Sequence, residues 1–171
     1  MNPLVEQAVQ KYHGNVKYPG KKIGQIEMLG LQLRLTVRLP RWYAKLLSRY
    51  PLAGAYLDYP VYEPDSDDDG YQSIRFARAR DIYSESEKCC PGLAIRKLGY
   101  TCLAIDPTGG GDPYFMKTSE GDNPPVYQVY HDVSQIGSVI EQEGMKKIAD
   151  SLSEFFEKAR ISDYHNPFKK E

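Results

Sequence analysis

The chain has 171 residues, 41% apolar and 26% charged, a balance that excludes a fibrous or globally disordered polypeptide and suits one globular domain over 1–171. The formal net charge of −1 lacks the concentrated positive field that phosphate binding favours, so direct nucleic-acid binding is not expected. No run of 18 apolar residues is available for a membrane span, and Met1–Gln10 lacks the basic-then-apolar order of a signal peptide.

In chain order, Asn2-Pro3 forms a cap and first-turn pair, and Leu4, Val5, Ala8, Val9 and Tyr12 recur at helical spacing. A short helix is predicted over 3–12, with Gly14 as its stop and a lysine- and glycine-rich linker over Asn15–Gly24. Leu31, Leu33, Leu35, Val37 and Leu39 alternate with Gln32, Arg34, Thr36 and Arg38. Period two over nine residues predicts a strand with one buried and one wet face. Pro40 opens a helix that places Tyr43, Leu46, Leu47 and Tyr50 on one side and ends at Pro51; Trp42 beside that stripe reads as a core or edge aromatic.

Short strands are predicted near Gly54–Asp58 and Gln72–Phe76, separated by an Asp-rich turn, with 78–87 open to a turn of helix. Tyr100–Ile105 and Val126–Tyr130 read as strands, and the glycine- and proline-rich stretch between them, Pro107–Pro125, as a loop. A short helix is expected over Gln135–Ile140. A longer C-terminal one carries the stripe Ile148, Ala149, Leu152, Phe155, Phe156 and Ala159, with Glu154 and Lys158 paired on its wet side and a frayed end over 161–171. The fold class is therefore α+β, a mixed and mostly antiparallel sheet with flanking helices and a long C-terminal helix.

Motifs for chemistry fail one by one. Asp65, Asp67, Asp69 and Gly70 match the opening of a calcium loop, but the closing bidentate carboxylate falls on Phe76, so no metal site is expected. Gly109, Gly110 and Gly111 precede Asp112 and Pro113 rather than Lys-Ser or Lys-Thr, which repels phosphate and removes a donor; no nucleotide or other cofactor is implied. His13, His131 and His165 are far apart. His131 beside Asp132 reads as a hydrogen-bonded strand end rather than a general base, and no nucleophile elbow accompanies Ser151 or Ser153. The chain is not expected to be an enzyme. Its three cysteines include the adjacent Cys89 and Cys90, which fits a reducing cytoplasm with Cys102 buried in an apolar strand.

Charge is unevenly distributed. Residues 1–50 hold nine basic against two acidic side chains, a balance of +7; residues 58–87 hold nine acidic against three basic, or −6. Tyrosines accompany the acidic segment, and tyrosine is common where one protein meets another. Tyr59, Tyr62, Asp65, Asp67, Asp68, Asp69 and Tyr71 are the candidate partner-binding residues, an electrostatic face suited to a basic partner protein.

The chain also resembles the SMI1/KNR4 family, the SUKH superfamily. The resemblance begins at Leu39-Pro40 with Tyr43 and Leu46-Leu47, and runs through Ile95 to Gly99 and Leu103-Ala104-Ile105-Asp106. It continues with Gly121, Pro125-Val126-Tyr127 and His131-Asp132, and ends in Ile148-Ala149-Asp150-Ser151-Leu152 with Phe155-Phe156, covering roughly 26–159. It implies a non-enzymatic protein-binding domain of the SMI1/KNR4 fold. In bacteria many such proteins are immunity proteins that bind and occlude a cognate polymorphic toxin, often a nuclease; a basic face on that toxin would meet the acidic segment. The alternative it implies is a regulatory or scaffolding protein-binding domain unrelated to toxins.

Overall fold

The structure is a computed structural model that describes residues 1–13, 20–60, 70–107 and 111–162. Its helices are α1 (Pro3–His13), α2 (Gln25–Arg34), α3 (Arg41–Arg49), α4 (Ala79–Glu87), α5 (Gly92–Ile95), α6 (Gly137–Glu143) and α7 (Leu152–Lys158). Its strands are β1 (Tyr56–Pro60), β2 (Tyr71–Phe76), β3 (Tyr100–Ile105), β4 (Tyr114–Lys117), β5 (Val126–Val129), β6 (Met145–Ala149) and β7 (Arg160–Ile161). All seven join one sheet in the order β6-β5-β4-β3-β2-β1-β7, every pair antiparallel. The α+β class with helices flanking the sheet stands.

Helices cover both faces. Successive residues of a strand point to opposite sides, and on β4 Tyr114 shares a groove with Tyr59 and α7 residues while the Phe115 ring reaches Gly92 of α5. On the α7 side, Phe155 stacks on Tyr59 at 4.7 Å between ring centroids and Phe156 on Phe76 at 5.8 Å. Helix α1 locks α7 from outside: the Tyr12 hydroxyl bridges the carbonyls of Phe156 and Ala159, each at 2.7 Å. Asn2 caps α1 through its side-chain oxygen, which accepts from the Leu4 N–H, as its position predicts.

Five expectations are corrected. Leu31–Leu39 is not a strand; it is the second half of α2 followed by an irregular return, because Leu31, Leu35 and Leu39 are buried while Leu33 and Val37 are exposed. Burial at every fourth position is the helical subset of the alternation, and packing chose it over period two. The expected linker 15–24 is tied into the body from Lys21 onward: Lys21 bridges Ala53, and the buried Ile23 donates its N–H to the Leu47 carbonyl. The expected loop 107–125 contains β4, whose Tyr114, Phe115 and Met116 are all buried. The C-terminal helix starts at Leu152 and has seven residues, since Ile148 and Ala149 belong to β6, and Ile161 is not frayed but pairs with Leu57 in β7.

Apart from α5, for which the sequence pattern predicts no element, the remaining elements form close to where the sequence places them, including β3 over Tyr100–Ile105 and α3 with Tyr43, Leu46 and Leu47 inside. Gly99 takes φ +90 immediately before β3, a conformation that suits glycine, and Ser119 leaves no room for a Cβ there. Cys102 is fully buried.

Candidate functional site

The sheet curls on itself. Five strand-to-strand steps separate β1 from β6, yet the Tyr59 hydroxyl donates to the Ile148 carbonyl at 3.0 Å. Irregularities at Cys102/Ala104 and Val126/Tyr127 supply curvature, since an extra residue in one strand bends it and raises its twist. Beside this seam lies a groove of about 720 Å³. Tyr59, Pro60 and Gln72 form one wall, Tyr114, Gln128 and Tyr130 the middle, and Lys146–Asp150 with Glu154 and Lys158 the other wall.

The charged wall is internally paired. The Lys147 ammonium lies 2.5 Å from Asp150, and Lys158 lies 2.7 Å from Glu154, the i,i+4 pair expected from sequence. The other oxygen of Glu154 accepts the Asp150 N–H at 2.6 Å, while Ser151 accepts the Glu154 N–H and caps α7. Lys147 is held above its ordinary pKa by Asp150, and Asp150 below its own by Lys147. Lys158, then the Asp150 N–H, lowers Glu154; burial raises Tyr59 and Tyr114. Each of these shifts moves a pKa away from 7. The groove is organised to hold a shape and a pattern of hydrogen bonds.

The predicted contact residues divide. Tyr62, Asp65, Asp67, Asp68 and Asp69 lie outside the described residues. Tyr59 is only 3% exposed, with its ring on Phe155, so it is a core residue supporting the seam rather than an open surface contact. Tyr71 is half-buried beneath the Arg160 guanidinium, 3.7 Å from the ring centroid. Its strand partner is Pro60, which lines the groove, as does Gln72, the residue after Tyr71.

His131 pairs with Asp112 rather than Asp132: Nδ1 lies 2.7 Å from Oδ1, and the same oxygen accepts the His131 N–H. This pair is exposed and raises the imidazole pKa, a strand-end tie as expected. Ser153 bonds with Asn123 and Ser151, and neither serine has a hydrogen bond to a histidine among the described residues. Among those residues no group of three or more His, Cys, Asp or Glu is placed to hold a metal ion, and no helix is long and apolar enough to cross a membrane.

Sequence reasoning missed Tyr114, Tyr130 and Lys146–Lys147. One signal was available: Ser151-x-x-Glu154 has the sequence pattern of a capping box, which places the start of the last helix at Leu152 and leaves Met145–Ala149 free to be a strand.

A curled antiparallel sheet with helices on both faces, and a polar, tyrosine-lined groove in which Lys147 and Lys158 are paired with Asp150 and Glu154, define an α+β binding domain. The model of the SMI1 / KNR4 family (SUKH-1) matches residues 25–158, and the chain belongs to that family. It is accordingly a non-enzymatic protein-binding domain of the SMI1/KNR4 type. Comparison with curated proteins and with solved structures finds no match.

Proposed function

We propose that this chain is an immunity protein, which binds a cognate polymorphic toxin in the producing cell and occludes its active face. The observation that carries the reading is a juxtaposition. Pro60 both lines the groove and precedes the segment 61–69, whose residues Glu63, Asp65, Asp67, Asp68 and Asp69 contribute most of the −6 balance. A tyrosine-lined recess from whose edge residue Pro60 an acidic stretch of sequence continues combines the two requirements of fast, tight inhibition: long-range attraction of a basic surface and a concave anchor site. Asp65, Asp67, Asp68 and Asp69, with Tyr62 and Tyr71, supply the contacts on this reading, and the groove receives a projecting side chain of the toxin. Such an inhibitor needs no titrating group of its own, because it acts by covering a surface.

The test is co-expression with the product of an adjacent toxin-like reading frame, followed by association kinetics on the purified pair. Replacing the four aspartates with asparagine is expected to slow association roughly tenfold at low salt, with a smaller effect as salt screens the attraction. An unchanged on-rate and affinity contradicts the surface assignment. Capture of a cellular protein unrelated to toxins, with no toxin-like neighbour, supports the regulatory or scaffolding alternative instead.

A further inference from the structure

Helix α2 is apolar on two opposite sides. At 100° per residue, Met28 and Leu31, with Leu35 just beyond, fall on one side and are buried. Ile26, Leu29 and Leu33 fall on the other and are 89%, 61% and 71% exposed, with Val37 past the helix end at 41%. The orientation is fixed by ties on the flanks. Gln32 exchanges two hydrogen bonds with the Leu39 backbone, Thr36 donates twice to Glu87, and the Arg34 guanidinium lies 3.7 Å over the Tyr83 ring. The exposed leucines are therefore held outward.

The spacing of that outer stripe, 26, 29 and 33, is the three-four alternation of a helix–helix seam. Gly30 sits on the same side in mid-helix, where a Cβ would meet nothing within 4 Å. Nothing within the described chain needs a glycine there, but an approaching helix backbone gains a notch. A narrow aliphatic seam without tryptophan or phenylalanine fits a helix better than a bilayer surface, which favours a broad apolar face with aromatic anchors. Charge identifies the occupant. Residues 20–50 carry seven basic side chains against Glu27 alone, and Lys21, Lys22, Arg34 and Arg38 frame the two ends of the seam in exposed positions. Two copies meeting through this face would set like charges against each other.

We infer that the outer face of α2 is a second docking surface, which takes an amphipathic helix of a partner protein with acidic residues beside its apolar seam. This inference is independent of the toxin reading, since it uses none of the groove or acidic-segment residues.

The probe is a labelled helical peptide of about 15 residues with leucines at three-four spacing and glutamates beside them, titrated with the full chain. A matched peptide with lysines in place of the glutamates is the comparison. The expected result is binding of the acidic peptide at least about tenfold tighter than the basic one, weakening with salt. That binding should be lost in the Leu29→Asp/Leu33→Asp double variant, whose thermal melting stays near that of the unchanged protein because both positions are exposed. No binding of the acidic peptide, equal binding of the two peptides, or undiminished binding by the double variant overturns the inference. So does self-association of the unchanged protein that the double variant abolishes, which assigns the seam to a second copy. Binding to phosphatidylcholine/phosphatidylglycerol vesicles without peptide discrimination assigns it to lipid and overturns it equally.

Discussion

Helix α7 has seven residues and buries Leu152, Phe155 and Phe156 completely, whereas α2 has ten and leaves Ile26, Leu29 and Leu33 in solvent. Both are rich in apolar side chains, so composition does not separate them. The difference lies in what the rest of the chain offers. Helix α7 is met by Tyr59 and Phe76 from the sheet and by Tyr12 from α1. The described chain meets α2 on one side only. One helix closes the fold and shapes the groove; the other leaves an apolar face available to a partner.

The contrast is broken most directly at the rings. Phe155→Ala removes a fully buried side chain at the seam and should cost about 3–5 kcal/mol in urea unfolding; a cost below about 1 kcal/mol would mean that α7 does not hold the curl. Next come two leucines two positions apart on α2. Leu31→Ala should cost about 2–4 kcal/mol, and Leu33→Ala should stay within about 0.5 kcal/mol of the unchanged protein. Equal losses would contradict the two-faced helix.

Smaller changes sharpen the same comparison. Tyr59→Phe leaves the Ile148 carbonyl without its donor and should cost about 1–2 kcal/mol, read in the same unfolding experiment. Gly30→Ala should gain about 0.5–1 kcal/mol, since alanine is the better helix former and its methyl meets no atom within 4 Å. The smallest effect is at the exposed strand end. Asp112 raises the His131 pKa first through its hydrogen bond and then through its charge. A raised folded pKa means that the pair's contribution is complete below the unfolded value near 6.5 and is lost as pH rises through the folded one. An NMR titration should therefore place His131 above its ordinary value, and Asp112→Asn should bring it down; an unmoved midpoint would break the assignment.

Much of the sheet was legible because its strands are short, apolar and bounded by turn residues, as at Tyr100–Ile105 after Gly99. Where the sequence misled, two regular patterns competed for the same residues. Leu31, Leu35 and Leu39 satisfy period two and the i,i+4 spacing at once, and only burial decides between them. Strand β4 was hidden by the glycines and prolines around it, although Tyr114-Phe115-Met116 is an apolar run in the middle of the sheet. The site divides in the same way. Acidity marks 58–87 in any reading of the sequence, but the groove gathers side chains from β1, β2, β4, β5, β6 and α7. Curvature brings those elements together, and no local pattern announces curvature.

The most direct test of the central claim is hydrogen exchange, read by mass spectrometry, on this chain alone and in complex with the protein it captures in its native cell. New protection is expected at the β1–β2 hairpin end and over Lys146–Asp150, the two walls of the groove, when the partner is bound. A stable complex that leaves both walls exchanging as fast as in the free chain would contradict it.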